Sequence, residues 1–186
     1  MGRVSGIPHA SRSNSELTAP GEPMELWRAF VPRWAHMPLS GDGAARFGGR
    51  WNPVGTPTIY AARELSTAWA EYNQGFVQHP ALIVRLELQD AKLADLTDAG
   101  VLADLGLEES IHRCEWRHEL DHGKAPTTHK VQADLVARDF HGVIYPSCMS
   151  PGGTCVALWR WNGKNRPRLA VIDPEGRLPK SPASWL

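Results

Sequence analysis

An α+β fold is the class this chain predicts. Several short strand-like runs accompany two or three helical ones, in no regular strand–helix–strand alternation and with no internal repeat. A doubly wound parallel sheet would require that alternation. At 186 residues the chain is long enough for one domain with a proper core.

The elements follow in order. Residues 1–23 are rich in Ser, Arg, Pro and Gly without periodicity and read as a disordered extension. A folded domain is expected over 24–173, with a Pro-rich tail over 174–186. Leu26 to Val31 reads as the first strand, punctuated by Pro32 and Pro38. Residues 39–57 form a long glycine- and proline-rich loop, of the length that usually carries function, and Thr58 to Ala62 is a short strand. Leu65, Ala68, Trp69 and Tyr72 fall at i, i+3, i+4 and i+7, which predicts an amphipathic helix to about Gln74. Glu71 sits on the flank of that stripe. In the strand from Ala81 to Leu88, Leu82, Val84, Leu86 and Leu88 face one way, Arg85 and Glu87 the other. Residues 91–127 turn from acidic to histidine-rich and suggest short helices and loops. A second helix runs from His129 to Phe140 with Val131, Leu135 and Val136 inward, and Gly142 to Pro146 is a strand that delivers Ser147. Strands at Thr154–Trp161 and Arg168–Ile172 are joined through an Asn162-Gly163 turn signal.

Composition narrows the function classes. Twenty basic and twenty acidic side chains cancel, which argues against a generic electrostatic nucleic-acid binder. No apolar run approaches a membrane span, and no apolar stretch backs the basic N-terminus as a secretory signal would need. Three cysteines without a CxxC pair point to a reduced, cytoplasmic setting with no disulfide framework and no thiolate zinc site. Eight tryptophans are most simply core and cleft packing. Spacings among His112, His118 and His122 tempt a metal reading, but no HExxH pattern or matching carboxylates accompany them, so no metal is expected.

The chemistry concentrates between Gly48 and Glu71. Gly48-Gly49 presents Arg50; Tyr60 follows ten residues later on a strand, and Glu71 eleven after that on a helix. Neither a P-loop ending nor a GxGxxG opening a helix is present. What remains is a loop whose backbone can approach a ligand, with an arginine suited to phosphate and Arg28 and Arg46 as helpers. Taken singly, each residue has a plainer account. Paired glycines make tight turns, strand tyrosines pack, helical glutamates face solvent, Ser147 closes a turn, and Cys148 beside it is more often packing than nucleophile.

Together, these segments resemble the RES domain family. The resemblance runs from about Leu26 to Ile172 and rests on Leu26-Trp27-Arg28, Gly48-Gly49-Arg50-Trp51-Asn52 and Ile59-Tyr60-Ala61. Ala68-Trp69-Ala70-Glu71 and Tyr145-Pro146-Ser147, followed by Gly152-Gly153-Thr154, complete it. It implies an ADP-ribosyltransferase-like fold, with short-stranded sheets flanked by helices around a central cleft. It implies, too, the toxin half of a toxin–antitoxin pair that degrades NAD by phosphorolysis or hydrolysis. NAD is then the substrate, inorganic phosphate a candidate co-substrate, and no bound cofactor is expected. The implied partner is an antitoxin with a helix-turn-helix domain that covers the cleft, and a homodimer is left open. By position, Arg50, Glu71 and Ser147 are the motif arginine, glutamate and serine, Tyr60 the active-site tyrosine and Arg28 the arginine of the opening strand. One departure stands out: Thr154-Cys155 replaces the asparagine that commonly follows the second glycine turn.

The resemblance gives each residue an expected task. Nicotinamide leaves NAD as a neutral ring, so the positive charge growing on the ribose carbon is what needs stabilising, and Glu71 would do that. Arg50 and Arg28 would hold the pyrophosphate, Tyr60 would stack, and Ser147 would position a substrate group. Two rivals remain. A protein ADP-ribosyltransferase is weakened because Trp69 and Ala70 precede Glu71 where a second acidic residue would stand. An inactive module that only binds a repressor would have little use for all four motif residues.

Overall fold

The computed structural model describes residues 22–75, 78–113 and 115–185, so nearly all of the N-terminal extension lies outside the described residues. Seven strands and five short helices follow in the order β1 (Met24–Phe30), α1 (Asp42–Phe47), β2 (Ile59–Ala62), α2 (Leu65–Asn73), β3 (Leu82–Gln89) and β4 (Leu93–Asp95). The remainder are α3 (Ala99–Asp104), α4 (Trp116–Asp121), α5 (Thr127–Ala137), β5 (Gly142–Pro146), β6 (Thr154–Leu158) and β7 (Arg168–Val171). The strands form one sheet in the order β4-β5-β6-β2-β1-β3-β7. Only β4–β5 is parallel, and the other neighbours are antiparallel. This is the α+β arrangement the sequence predicts.

Strand alternation divides the core into two clusters. One face carries Ala62, Val143, Tyr145, Cys155 and Ala157 under Ala68 of α2 and Val131 and Leu135 of α5. The other carries Leu26, Ile59, Val84, Leu86, Ile144 and Val156, with Leu39 and Leu178 packed against it from the loops. Along β1 the same alternation sets Trp27 against the first cluster and Leu26 in the second. The sheet is therefore buried on both sides, by helices on one and by loop segments on the other.

Four details differ from the sequence reading. The loop over 39–57 contains α1. The short β4 falls in the region whose sequence suggests short helices and loops; three residues carry no legible alternation, and its parallel pairing with β5 is non-local. The Asn162 turn forms, with Asn162 Nδ2 donating to Leu169 O and Leu169 N donating to Asn162 Oδ1, each at 2.8 Å. It closes no hairpin, because β6 already has β5 and β2 on its two edges, and β7 pairs with β3 at the far side of the sheet. Finally, α2 does not bury the expected stripe: Leu65 is 47% exposed, while Thr67 and Ala68 are buried. Small side chains let the helix sit close to the sheet. Glu71, four residues after Thr67 and half-buried, lies one turn further along that inward side, where a flank carboxylate borders a cleft without entering the core.

Candidate active site

A cavity of about 610 Å³ opens on the helix-bearing face of the sheet. Its wall is made by Trp27 and Ala29 of β1, the Gly48–Arg50 turn, Tyr60 of β2, Ala68 and Glu71 of α2, and Tyr145, Cys148 and Cys155 from β5 and its continuation into β6. Trp116 and Arg117 of α4 complete it.

The glycine turn is fixed by hydrogen bonds that its sequence makes possible. Gly48 has φ of 72°, in the region that favours glycine. A Cβ on Gly49 would stand 2.7 Å from the Tyr60 hydroxyl and 2.8 Å from Asn52 Oδ1, so only glycine fits. Tyr60 Oη donates to Asn52 Oδ1 at 2.7 Å and accepts from Trp51 N at 2.9 Å. Asn52 Nδ2 in turn donates to Ala44 O at 2.9 Å, and to Pro53 O and Thr56 O at 3.1 Å each. Trp51 is fully buried, and its carbonyl accepts from Trp159 Nε1 at 2.9 Å. Thr128 of α5 donates to Arg50 O, and His129 Nε2 lies 2.8 Å from Gly49 O. Burial pushes the Tyr60 phenol well above its ordinary pKa, so it remains a neutral donor. Its hydroxyl is thus committed to the loop while its ring contributes to the cavity wall.

Arg50 is 5% exposed. Its Nη1 donates to Cys148 Sγ at 3.1 Å and its Nη2 to Ile111 O at 3.2 Å. The guanidinium lies 5.0 Å from the Tyr145 ring centroid and 5.5 Å from that of Trp51. Burial lowers its pKa, opposed by the neighbouring Tyr145 and Glu71. Arg50 therefore ties the glycine turn to two other segments and sets a buried positive charge in the cavity wall.

Glu71 is held through one oxygen. Its Oε1 accepts from Ser147 Oγ at 2.6 Å, Cys148 N at 3.0 Å and Met149 N at 3.4 Å. The Cys155 thiol adds a fourth contact at 3.7 Å. Among the described residues no hydrogen bond reaches Oε2. Ser147 Oγ also accepts from Met149 N at 3.1 Å and Ser150 N at 2.9 Å, which curls the chain after β5 and aims two amides toward the carboxylate. Burial, aided by the Glu71 charge, pushes the Cys155 thiol up to about 12, so it serves as an S–H donor. The second glycine turn explains the close approach of these parts: a Cβ on Gly153 would collide with Thr67 of α2. Glu64, at the start of α2, accepts from Thr67 Oγ1 at 3.0 Å and Thr154 N at 3.1 Å. Where the family pattern has its asparagine, Thr154 secures the helix start and Cys155 touches the carboxylate.

The structure brings Arg50, Tyr60 and Glu71 to one cavity. It sets Ser147 behind Glu71, outside the lining, as an anchor for the carboxylate. Arg28 is turned away. Being next to Trp27 on β1, it projects from the other side of the sheet, where Nη1 donates to Pro38 O at 2.7 Å and Nη2 to Ser40 O at 2.9 Å. Burial brings its pKa down to about 10, and its evident task is to staple the 38–40 loop to the sheet. Arg46 does not line the cavity. Trp116 and Arg117 are among the lining residues the sequence did not reveal, in their case because the 91–127 region lacks a periodic signal.

Cys148 is disulfide-bonded, against the expectation of reduced thiols; Cys155 is free and Cys114 lies outside the described residues. No group of three or more His, Cys, Asp or Glu side chains among the described residues could hold a metal ion. His118 of α4 and His122, just after it, pair with each other, ring centroids 4.1 Å apart. No helix among the described residues is long and apolar enough to cross a membrane.

The RES domain family model matches residues 25–181. No curated protein matches the chain. Seven chains of solved structures match. One belongs to the crystal structure of the M. tuberculosis MbcT–MbcA toxin–antitoxin complex. It is 22% identical, with a TM-score of 0.58, covering 82% of this chain and 86% of that one. At that identity the likeness speaks to fold.

Proposed function

The chain belongs to the RES domain family, and from that premise we propose that it is an NAD-degrading enzyme that cleaves the nicotinamide–ribose bond, and the toxin half of a toxin–antitoxin pair. The observation that carries this reading is the anchoring of Glu71. A carboxylate held by three hydrogen bonds and a thiol contact on Oε1, with no hydrogen bond to Oε2 among the described residues, on the wall of a 610 Å³ cavity, is oriented before any ligand arrives. Preorganised negative charge is what an oxocarbenium-like ribose needs as nicotinamide departs.

In this mechanism the ribose binds with its anomeric carbon near Oε2. Charge moves from the pyridinium ring to the ribose as the bond breaks, and the leaving group is neutral, so no proton need be supplied to it. Tyr60 and Trp27 offer aromatic surface to the flat groups of the substrate. Arg50 keeps the glycine turn in register and balances the Glu71 charge from its buried place in the wall. Water or inorganic phosphate then takes the ribosyl group, giving ADP-ribose or its 1″-phosphate.

The partner reading draws on the surface beside the cavity. Phe47 and Val54, on either side of the Gly48–Arg50 turn, are 74% and 70% exposed, and the cavity-lining Met149 is 40% exposed. An antitoxin that covers the cleft, expected to carry a helix-turn-helix domain, would take these side chains out of water. A solved structure similar to this chain comes from a toxin–antitoxin complex, which agrees with that reading.

The deciding experiment is proton NMR of NAD incubated with purified, partner-free protein, with and without millimolar inorganic phosphate. Nicotinamide release is the expected outcome. Release only with phosphate identifies a phosphorylase, and release without it a hydrolase. Intact NAD in both tubes, with folding verified, refutes the enzymatic reading in favour of a transferase lacking its acceptor or a purely binding module.

A further inference from the structure

A dinucleotide brings two phosphates into the cavity, yet the arginines expected to meet them are engaged elsewhere. Arg28 projects from the opposite side of the sheet and is tied to Pro38 O and Ser40 O. Arg50 is buried, with both terminal nitrogens bonded to protein atoms. Only three charged side chains line the cavity among the described residues: Arg50, Glu71 and Arg117. Glu71 would repel phosphate, and Arg50 is committed.

Arg117 differs from both. It is exposed, and among the described residues it makes no ion pair or hydrogen bond. Its guanidinium lies 5.0 Å from the ring centroid of Trp116, itself a half-buried lining residue. Stacking on an indole restricts a long side chain while leaving the planar N–H edge available for an anion. We propose that Arg117, steadied by Trp116, is the phosphate subsite of this cavity, and that it takes a phosphate oxyanion. That oxyanion comes either from the pyrophosphate of the dinucleotide or from free inorganic phosphate. The assignment rests on the NAD reading for its substrate but not for its chemistry: an exposed cation lining a cavity whose other cation is occupied binds anions in either case.

The test is calorimetric titration of the full chain and of R117A and R117K with ADP-ribose, nicotinamide riboside and inorganic phosphate. One lost charge-assisted contact weakens binding by roughly tenfold to a hundredfold. R117A is expected to lose that much affinity for ADP-ribose, with R117K recovering most of it. Nicotinamide riboside, which has no phosphate, should bind both variants as it binds the parent. If R117A affects only inorganic phosphate, the subsite stands with the free ion as its ligand, and the assignment of the dinucleotide's pyrophosphate to Arg117 fails. Equal losses for ADP-ribose and nicotinamide riboside would mark a structural role and overturn the proposal. So would unchanged binding in R117A, or a parent protein that binds neither ADP-ribose nor phosphate.

Discussion

Replacing Ser147 with alanine separates two roles that sequence leaves indistinguishable. If Ser147 touches substrate, Ser147→Ala weakens binding; if it positions Glu71, turnover falls instead. The structure favours the second, since Ser147 is absent from the cavity wall and its hydroxyl donates to Glu71 Oε1 at 2.6 Å. A hydrogen bond to a charged group contributes roughly 1.5–3 kcal/mol. Cys148 N, Met149 N and the Cys155 thiol still reach the same oxygen, so the carboxylate is loosened rather than released. A loss of about 2 kcal/mol in transition-state stabilisation lowers kcat roughly thirtyfold. KM for NAD should stay within about twofold, because only an interaction made in the transition state is lost. The assay is initial-rate nicotinamide release, with thermal melts to confirm folding. A double-mutant cycle sharpens the test. In a Glu71→Ala background there is no carboxylate left to hold, and adding Ser147→Ala should cost little more. A raised KM with unchanged kcat, or a full thirtyfold loss in the Glu71→Ala background, refutes the positioning argument.

Other expectations follow from the same geometry. Glu71→Gln keeps size and hydrogen bonding but removes the charge, and single-turnover measurements should show nicotinamide release slowed by about 10²–10³. Tyr60→Phe leaves Trp51 N without its acceptor and Asn52 Oδ1 without its donor, so urea unfolding should report a loss of roughly 1–3 kcal/mol. Cys155 supplies a pH dependence. The folded thiol, raised to about 12 from 9.0, keeps a proton that the unfolded chain releases, so its contribution to stability is complete below pH 9 and drains away as pH rises from 9 to 12. Cys155→Ser lacks that titration, so the parent-minus-variant difference in unfolding free energy should fall as pH rises from 9 to 12, measured by denaturant melts at stepped pH.

Local sequence carried much of the fold and of the candidate site. The Gly48–Asn52 turn is legible because each residue serves its neighbours: Gly49 gives way to Tyr60 and Asn52, and Asn52 bonds backbone within the same loop. Strand alternation in β3 is equally plain, with Leu86 and Leu88 buried and Arg85 exposed. What escaped depends on distant partners. Alternation places Arg28 opposite Trp27, but nothing nearby says which of the two faces the cleft. The Asn162 turn predicts a reversal and delivers one, yet whether a hairpin follows depends on strand edges already filled by β5 and β2. Leu65 looks like a core residue of an amphipathic helix until Gly153 draws Thr67 and Ala68 to the sheet instead. Trp116 and Arg117 sit on a helix too short to show a period.

The anchoring of Glu71 also bears on when the protein becomes competent during its own synthesis. Arg50, Tyr60 and Glu71 are all translated early, but the groups that hold the carboxylate arrive 76 or more residues later, from Ser147 to Cys155. Such long-range closure is a late step in folding. A nascent or prematurely terminated chain ending before Ser147 would carry most of the recognisable motif and still have an unaimed carboxylate. The anchored carboxylate exists only once β5 and β6 have been made and docked against α2.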